Sequence, residues 1–413
     1  MKAGYGSAEI TPPIGVELAG YGYYLTRRAT HVKDPLFARV VALEHNGVRY
    51  VVLSCDVLGL SASIVTATLD FLYKNHGVPA SNAMIVSIHT HTGPALKYHE
   101  GCGEICPDYA EGAVRPIVSA CDRAFSDLAD VTSLQGGYAP LAEPFAYNRA
   151  CPEGPIDPFV RAFLIGRANA QAIAIVSYAC HPVVRGRSSG ISADYPGQVC
   201  ELLGQRNMRP VYLNGLCGDT DPLPCGEETR DARCEAFARA IAESFDAALR
   251  PLPIMLRGER LHCSLRLFPV TREEIQRIAA DAASRATDCG ARKVARIWES
   301  EMLAGFETLP SEESLSIACL WLGGVPIVAL PFEGFMRTGE LIREQSGDPR
   351  AVILGCAEEL LGYLPTADDI GRKAYAALES SFLYKRLPPM AGEAERLGRH
   401  IGGILAERDT TPI

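Results

Sequence analysis

The chain has 413 residues, more than one core usually organises, so two domains or one elaborated domain is expected. With 47% hydrophobic and 22% charged residues it has the composition of a folded globular protein. Its net charge of -9 argues against a nucleic-acid partner, which needs a basic face, and gives no attraction to an anionic membrane.

Residues 4–24, rich in Gly, Pro and Tyr, read as punctuated loop. Strands at 35–44 and 49–54 flank Asn46-Gly47, a hairpin signal, and the second runs into Asp56. Residues 61–76 carry apolar side chains at helical spacing, among them Ile64, Leu69 and Leu72. Residues 84–88 form an apolar, β-branched run that reads as a buried strand. It ends at His89-Thr90-His91, where Gly93-Pro94 stops regular structure. On an extended backbone, residues two apart point to one side, so His89 and His91 can reach one pocket. They are either zinc ligands or polar residues capping a strand.

Residues 109–128 read as a second helix, and 133–160 as strand-like and loop structure containing Tyr147-Asn148-Arg149. A further apolar run, 172–180, ends at His181. Another, 210–214, leads into Gly215-Leu216-Cys217-Gly218-Asp219-Thr220-Asp221-Pro222, and a helix follows at about 229–249. The stretch 250–320 differs in character, with a strand near 254–268 and a charged helical segment at 271–303, and reads as an insertion or cover over the main core. Residues 315–322 and 325–330 form a hairpin about Gly323-Gly324 whose second strand ends at Pro331-Phe332-Glu333. A short strand at 351–354 precedes Gly362-Tyr363, and the tail from Tyr375 is mixed helix and loop. No internal repeat is visible.

No apolar run approaches the ~20 residues of a membrane-spanning helix, and the start lacks the hydrophobic core of a signal peptide. Several of the 14 cysteines (Cys55, Cys180, Cys319) lie inside apolar runs, where a thiol behaves as a small hydrophobe. Reduced cysteines and a cytoplasmic location are therefore expected. Cys102 and Cys106 have no second pair to complete a zinc site.

Five apolar runs end in a potential ligand or acid: Asp56, His89, His181, Asp219 with Asp221, and Glu333; Tyr363 trails a sixth. In open α/β sheets ligands gather beyond the strand ends. Two histidines from different strands with a glutamate form the ligand set of a catalytic zinc, which keeps an open position for water. The expected fold is α/β, with mixed sheets, flanking helices and a metal site at strand ends.

These motifs also occur together elsewhere. His-Thr-His-Thr-Gly-Pro94, Tyr-Asn-Arg149, Cys-His-Pro182, Gly-Asp-Thr-Asp-Pro222, Pro-Phe-Glu333 and Gly-Tyr363 resemble, in order and rough spacing, the neutral/alkaline non-lysosomal ceramidase family. The opening Ala8-Glu9-Ile10-Thr11-Pro12-Pro13 is similar too, and the resemblance spans about residues 4–380. It implies a ceramidase-like catalytic domain with zinc on His89, His181, Glu333 and Tyr363. It also implies a His91 that faces substrate from beside the metal ligands, a substrate-facing Arg149, and cleavage of an N-acyl amide. Two departures stand out. The family's proposed catalytic serine, in Gly-Asp-x-Ser-Pro, is replaced by Asp221. The family's C-terminal β-sandwich-like domain and secretion signal are not visible, so a short homologue is expected.

The expected activity is that of a zinc amidohydrolase acting on a small or N-acyl amide. Zinc lowers the pKa of water from about 15.7 to about 7. Asp221 or His91 takes the proton, Arg149 or Tyr363 helps hold the oxyanion, and His91 protonates the leaving nitrogen. Arg149, His91 and Tyr363 are also the expected substrate contacts. Asp219 is expected to hold the glycine-rich turn, and Asp56 to support a ligand histidine or cap its strand. Arg185, Arg187 and Lys97 either meet an anionic group or are solvated surface charge. The alternatives are a catalytically altered ligand-binding homologue and a zinc esterase or lactonase.

Overall fold

A computed structural model describes residues 1–373 and 375–409. Strand β1 (Lys2–Glu9) pairs antiparallel with β2 (Phe37–His45), and β2 with β3 (Val48–Cys55). Helix α1 (Ala62–His76) crosses to β4 (Ala83–Ser87), which lies parallel to β3. Helix α2 (Val114–Ser126) then packs on α1 and β1. The β2–β3 turn places Asn46 and Gly47 at positive φ, the backbone that tight hairpins demand.

The same succession recurs twice, although the sequence shows no repeat. In the second unit β5 (Ala129–Pro140), β6 (Phe159–Arg167) and β7 (Ala170–Tyr178) pair antiparallel in turn. Helix α3 (Asp194–Gln205) crosses to β8 (Arg209–Asn214), parallel to β7, and α4 (Arg230–Ala248) packs on α3 and β5. The third unit begins with β9 (Leu256–Arg266), which is followed by two extra helices, α5 (Arg272–Arg285) and α6 (Cys289–Ala304). It continues with β10 (Glu312–Leu322) and β11 (Val325–Ala329), antiparallel in turn. Helix α7 (Met336–Ser346) leads to β12 (Val352–Leu354), parallel to β11, and α8 (Glu393–Asp409) packs on α7 and β9. Each unit thus orders its strands antiparallel, antiparallel, parallel.

The first two units join edge to edge through β1 and β5, giving one large sheet in the order β8-β7-β6-β5-β1-β2-β3-β4. The third forms its own sheet, stacked face to face on the large one. Val41, Val52, Met84, Ile175 and Leu213 of the large sheet share a core with Leu320, Leu322, Ile327 and Leu354 of the small one. Helices cover both outer faces, with Ile64, Ile117 and Phe237 on one side and Ile275, Trp298 and Leu397 on the other. This is a mixed α/β architecture of four layers. β4 and β11, covered on both faces, are buried at every residue, which explains their unbroken apolar runs.

Two sequence readings change. Residues 4–9, expected as loop, belong to β1. A Cβ on Gly4 or Gly6 would lie 2.0 Å from the carbonyl oxygens of Ala124 or Ala120, so these glycines admit α2 rather than make a turn. The charged segment 271–303 is two helices. The second is capped by Asp288, whose Oδ1 accepts the Ala291 N–H at 2.7 Å.

Asp56 supports no histidine. At 1% exposure it takes both contacts from Arg39 Nη1, at 2.7 and 2.6 Å, and accepts the Phe37 N–H at 2.9 Å. Asp56→Asn leaves the Arg39 charge buried without its counter-ion. It is expected to cost about 3–5 kcal/mol of stability, seen as a lower urea midpoint, with metal content unchanged.

Candidate metal centre

The ends of β4, β7, β8 and β11 converge because the two edges of the large sheet approach each other. Ser54 Oγ on β3 donates to the Tyr212 carbonyl on β8 at 2.6 Å, and the Ser87 N–H of β4 donates to the Cys356 carbonyl at 3.0 Å. Gly215, beyond β8, bridges to Leu354. Loops from all three units therefore open onto one cavity of about 890 Å³. Tyr21, His91, Arg149, Tyr363 and Tyr384 are among the side chains that line it.

His89 and His91 share that cavity, but not through an extended backbone. His89 has φ 70°, in the left-handed region, so the chain bends at the first histidine. The bend is held from outside: Thr90 and Thr92 hydroxyls donate to the Ser192 carbonyl at 2.8 and 2.9 Å. The rings of His89, His91 and His181 lie 5.0–5.5 Å apart by centroid, and one nitrogen from each falls within 4.8 Å of the others.

Hydrogen bonds fix the tautomers. His89 Nδ1 meets the Leu58 carbonyl at 2.8 Å, and His181 Nδ1 meets the Cys217 carbonyl. A carbonyl only accepts, so each Nδ1 carries a hydrogen, and each ring in its neutral form presents a lone pair at Nε2. Both Nε2 atoms stand 3.1 Å from the same oxygen, Glu333 Oε2. Two lone pairs and a carboxylate, all within 3% exposure, repel unless a positive charge lies among them. One proton serves only one ring, and His89 Nε2 has no hydrogen bond of acceptable geometry. A divalent cation satisfies all three atoms. Tetrahedral ligands about 2.0–2.1 Å from zinc stand roughly 3.3 Å apart, close to the spacing here.

The surrounding groups refine this centre. Without a metal, a proton is the positive charge: against its own burial, His181 is raised to about 10 by Cys217 and by its contact with Glu333, and the imidazoles in turn, against burial, hold the Glu333 carboxyl well below the usual carboxylate range, so a bound cation displaces that proton. The other Glu333 oxygen accepts the Tyr384 hydroxyl. Tyr363 pairs with Glu333 across a short parallel bridge, and its hydroxyl accepts from Arg149 Nη2 at 3.0 Å. Arg149 also donates to the Gly218 carbonyl at 2.9 and 3.2 Å and stands 3.3 Å from Asp221 Oδ1. Asp221 Oδ1 is 3.6 Å from His181 Nδ1. Burial and the neighbouring imidazoles hold His91 well below its ordinary pKa, so its ring is neutral. Neither His91 nitrogen has a hydrogen-bond partner among the described residues.

Asp219 turns away to the scaffold. It accepts from Asn148 Nδ2 at 2.8 Å and from the Met336 N–H at 3.0 Å, and burial pushes its carboxyl up to about 7. Lys97 pairs with Glu359 at 2.8 Å and Arg185 with Asp231, while Arg187 lines the cavity. No disulfide forms among the described residues; Cys102 and Cys106 are both free.

Sequence reasoning missed Tyr384, His99 and Gly20. His99 lines the cavity at 4% exposure with an unpaired Nε2, and burial lowers its pKa to about 3. Gly20 has φ 84°, and a Cβ there would lie 2.5 Å from His91 Nδ1. The only signal for Gly20 was its place in the Gly-Tyr-rich opening. Gly20→Ala is expected to displace the imidazole and lower kcat/KM by roughly 10²-fold while metal content stays at the wild-type level. Steady-state kinetics beside elemental analysis tests this.

The arrangement defines a ceramidase-fold protein with a buried histidine cluster able to hold a metal. Neutral ceramidase from Pseudomonas aeruginosa matches all of this chain and 75% of its own, with a TM-score of 0.76 and 17% identity. A ceramidase complexed with C2 matches all of this chain and 76% of its own, with a TM-score of 0.75 and 16% identity. No protein-family model matches the sequence, and no curated protein does. No helix among the described residues is long and apolar enough to cross a membrane.

Proposed function

We propose that the protein is a zinc-dependent hydrolase that cleaves an amide bond of a small or N-acyl substrate. The observation that carries this reading is the meeting of two imidazole lone pairs with one buried carboxylate oxygen. His89, His181 and Glu333 hold the cation, and the Tyr363 hydroxyl completes the set. When bound, the metal supplies Lewis acidity, enough to make water ionise near neutral pH and to polarise a carbonyl.

The chain's own residues supply the rest. Asp221 is 22% exposed at the cavity and takes the proton of the attacking water. It stands where the resembling family has a serine, and a carboxylate there acts as a base rather than an acyl acceptor. His91, neutral at rest, receives that proton from Asp221 and hands it on to the leaving nitrogen, so that both groups end as they began. Arg149 places its guanidinium beside Tyr363 and directs positive charge at the developing oxyanion. The ceramidase structures of the same fold support an amide as the bond.

The test is elemental analysis of protein purified without added metal, followed by turnover of amide and ester panels before and after chelation. One zinc per chain and chelator-sensitive amide cleavage are expected. Undiminished turnover by metal-free protein overturns the metal mechanism, and stoichiometric metal with ester but no amide turnover overturns the choice of bond.

A further inference from the structure

The cavity mouth concentrates positive charge that no carboxylate pairs with. Arg187, on the loop after His181, and Lys293, on α6, both line the cavity and are exposed. The nearest recorded partner of Lys293 is the face of Tyr24, 3.8 Å from its ring centre. Arg187 has no ion pair or hydrogen bond among the described residues. Near Arg187 lies Arg27, stacked 4.8 Å from the Tyr21 ring centre. It spends its donors on the neutral carbonyls of Ala19, His91 and Ser188 at 2.7–2.9 Å. Burial lowers the pKa of the Arg27 guanidinium, and so does the charge of Arg187, so the two cations feel each other.

The acids around this cavity are committed elsewhere. Asp221 pairs with Arg149, and Glu333 faces the histidines. Asp288, the one further acid lining the mouth, caps α6 through the Ala291 N–H. The lining thus holds three cations and three acids, but of the cations only Arg149 is paired with one of those acids, which leaves Arg187 and Lys293 to meet a ligand. Unpaired guanidinium and ammonium groups lining one opening favour an anion there, and arginine grips carboxylate and phosphate oxygens in pairs. They also repel a cationic substrate, which adds selectivity.

We propose that Arg187 and Lys293, backed by Arg27, bind an anionic group on the substrate, a carboxylate or phosphate carried by the part of an N-acyl amide that reaches the cavity mouth. This rests on the amide-hydrolase reading and narrows it to N-acyl amino acids or phosphorylated N-acyl amines, in preference to neutral lipid amides.

The experiment compares N-lauroylglycine, N-lauroylethanolamine phosphate and neutral N-lauroylethanolamine on the full chain and on Arg187→Gln/Lys293→Gln. One or both acidic substrates are expected to exceed the neutral one in kcat/KM by about 10–100-fold, and which of them does so identifies carboxylate or phosphate. The double variant is expected to shrink that preference at least tenfold, through KM. A wild-type enzyme that treats the neutral amide as well as both acids overturns the proposal, and so does a variant whose preference is unchanged. If no amide is cleaved, the hydrolase reading fails by itself, and thermal shift with the same three compounds then decides. Stabilisation selective for acids in wild type and lost in the variant supports the mouth site; equal stabilisation by all three ends it.

Discussion

Glu333→Gln is expected to purify with little metal and to lose chelator-sensitive turnover. The change is nearly isosteric, but it removes the only negative charge that both Nε2 lone pairs face. A glutamine amide nitrogen in place of that oxygen carries two hydrogens, one for each lone pair, so the metal-free site becomes self-satisfied and no longer calls for a cation. Metal affinity should fall by more than the ~10–100-fold seen on losing a mere supporting partner of a ligand. Stability should respond in the opposite sense. In wild type, metal at a thousandfold excess over its dissociation constant stabilises the fold by about 4 kcal/mol, so a chelator lowers the melting temperature. The variant should melt at the same temperature with and without chelator. Elemental analysis and paired melting curves check both. Stoichiometric metal in the variant would show that the carboxylate is not a ligand.

The sequence exposed this site unevenly, and the three-unit fold explains why. In each unit the third and fourth strands are parallel and buried, so their apolar runs stop abruptly and advertise the residue that follows. Third-strand ends give Asp56, His181 and Glu333. Beyond the fourth strands come His89 with His91, then Asp221, then Tyr363. The unit order itself was hidden, because the units share positions of strands but not side chains, and because α5 and α6 lengthen the third one. The first unit spends its third-strand acid on Arg39 instead of the cavity. Tyr384 and His99 lie on irregular segments brought in by tertiary packing, where no periodicity marks a residue. The left-handed turn at His89 was also illegible, since it is imposed by Thr90 and Thr92 gripping the carbonyl of Ser192, far away in the sequence.

Arg149→Lys is expected to lose roughly 10²–10³-fold in kcat while keeping its metal. The arginine does several things with one planar group. Nη2 holds the Tyr363 hydroxyl and, with Nε, the Gly218 carbonyl, while Nη1 lies against Asp221. A lysine ammonium is a single point charge and cannot span the Gly218 carbonyl, the phenol and the carboxylate together, so the substitution is far from conservative. Freed from Arg149, Asp221 also loses the charge that positions it as a base. Tyr363→Phe removes the hydroxyl that Nη2 holds, so the two changes act on one network. The double variant is expected to fall well short of the product of the single losses, because coupled residues are not additive. Fully multiplicative losses would mean that guanidinium and phenol act separately. A Lys variant with wild-type kcat would remove Arg149 from the reaction altogether.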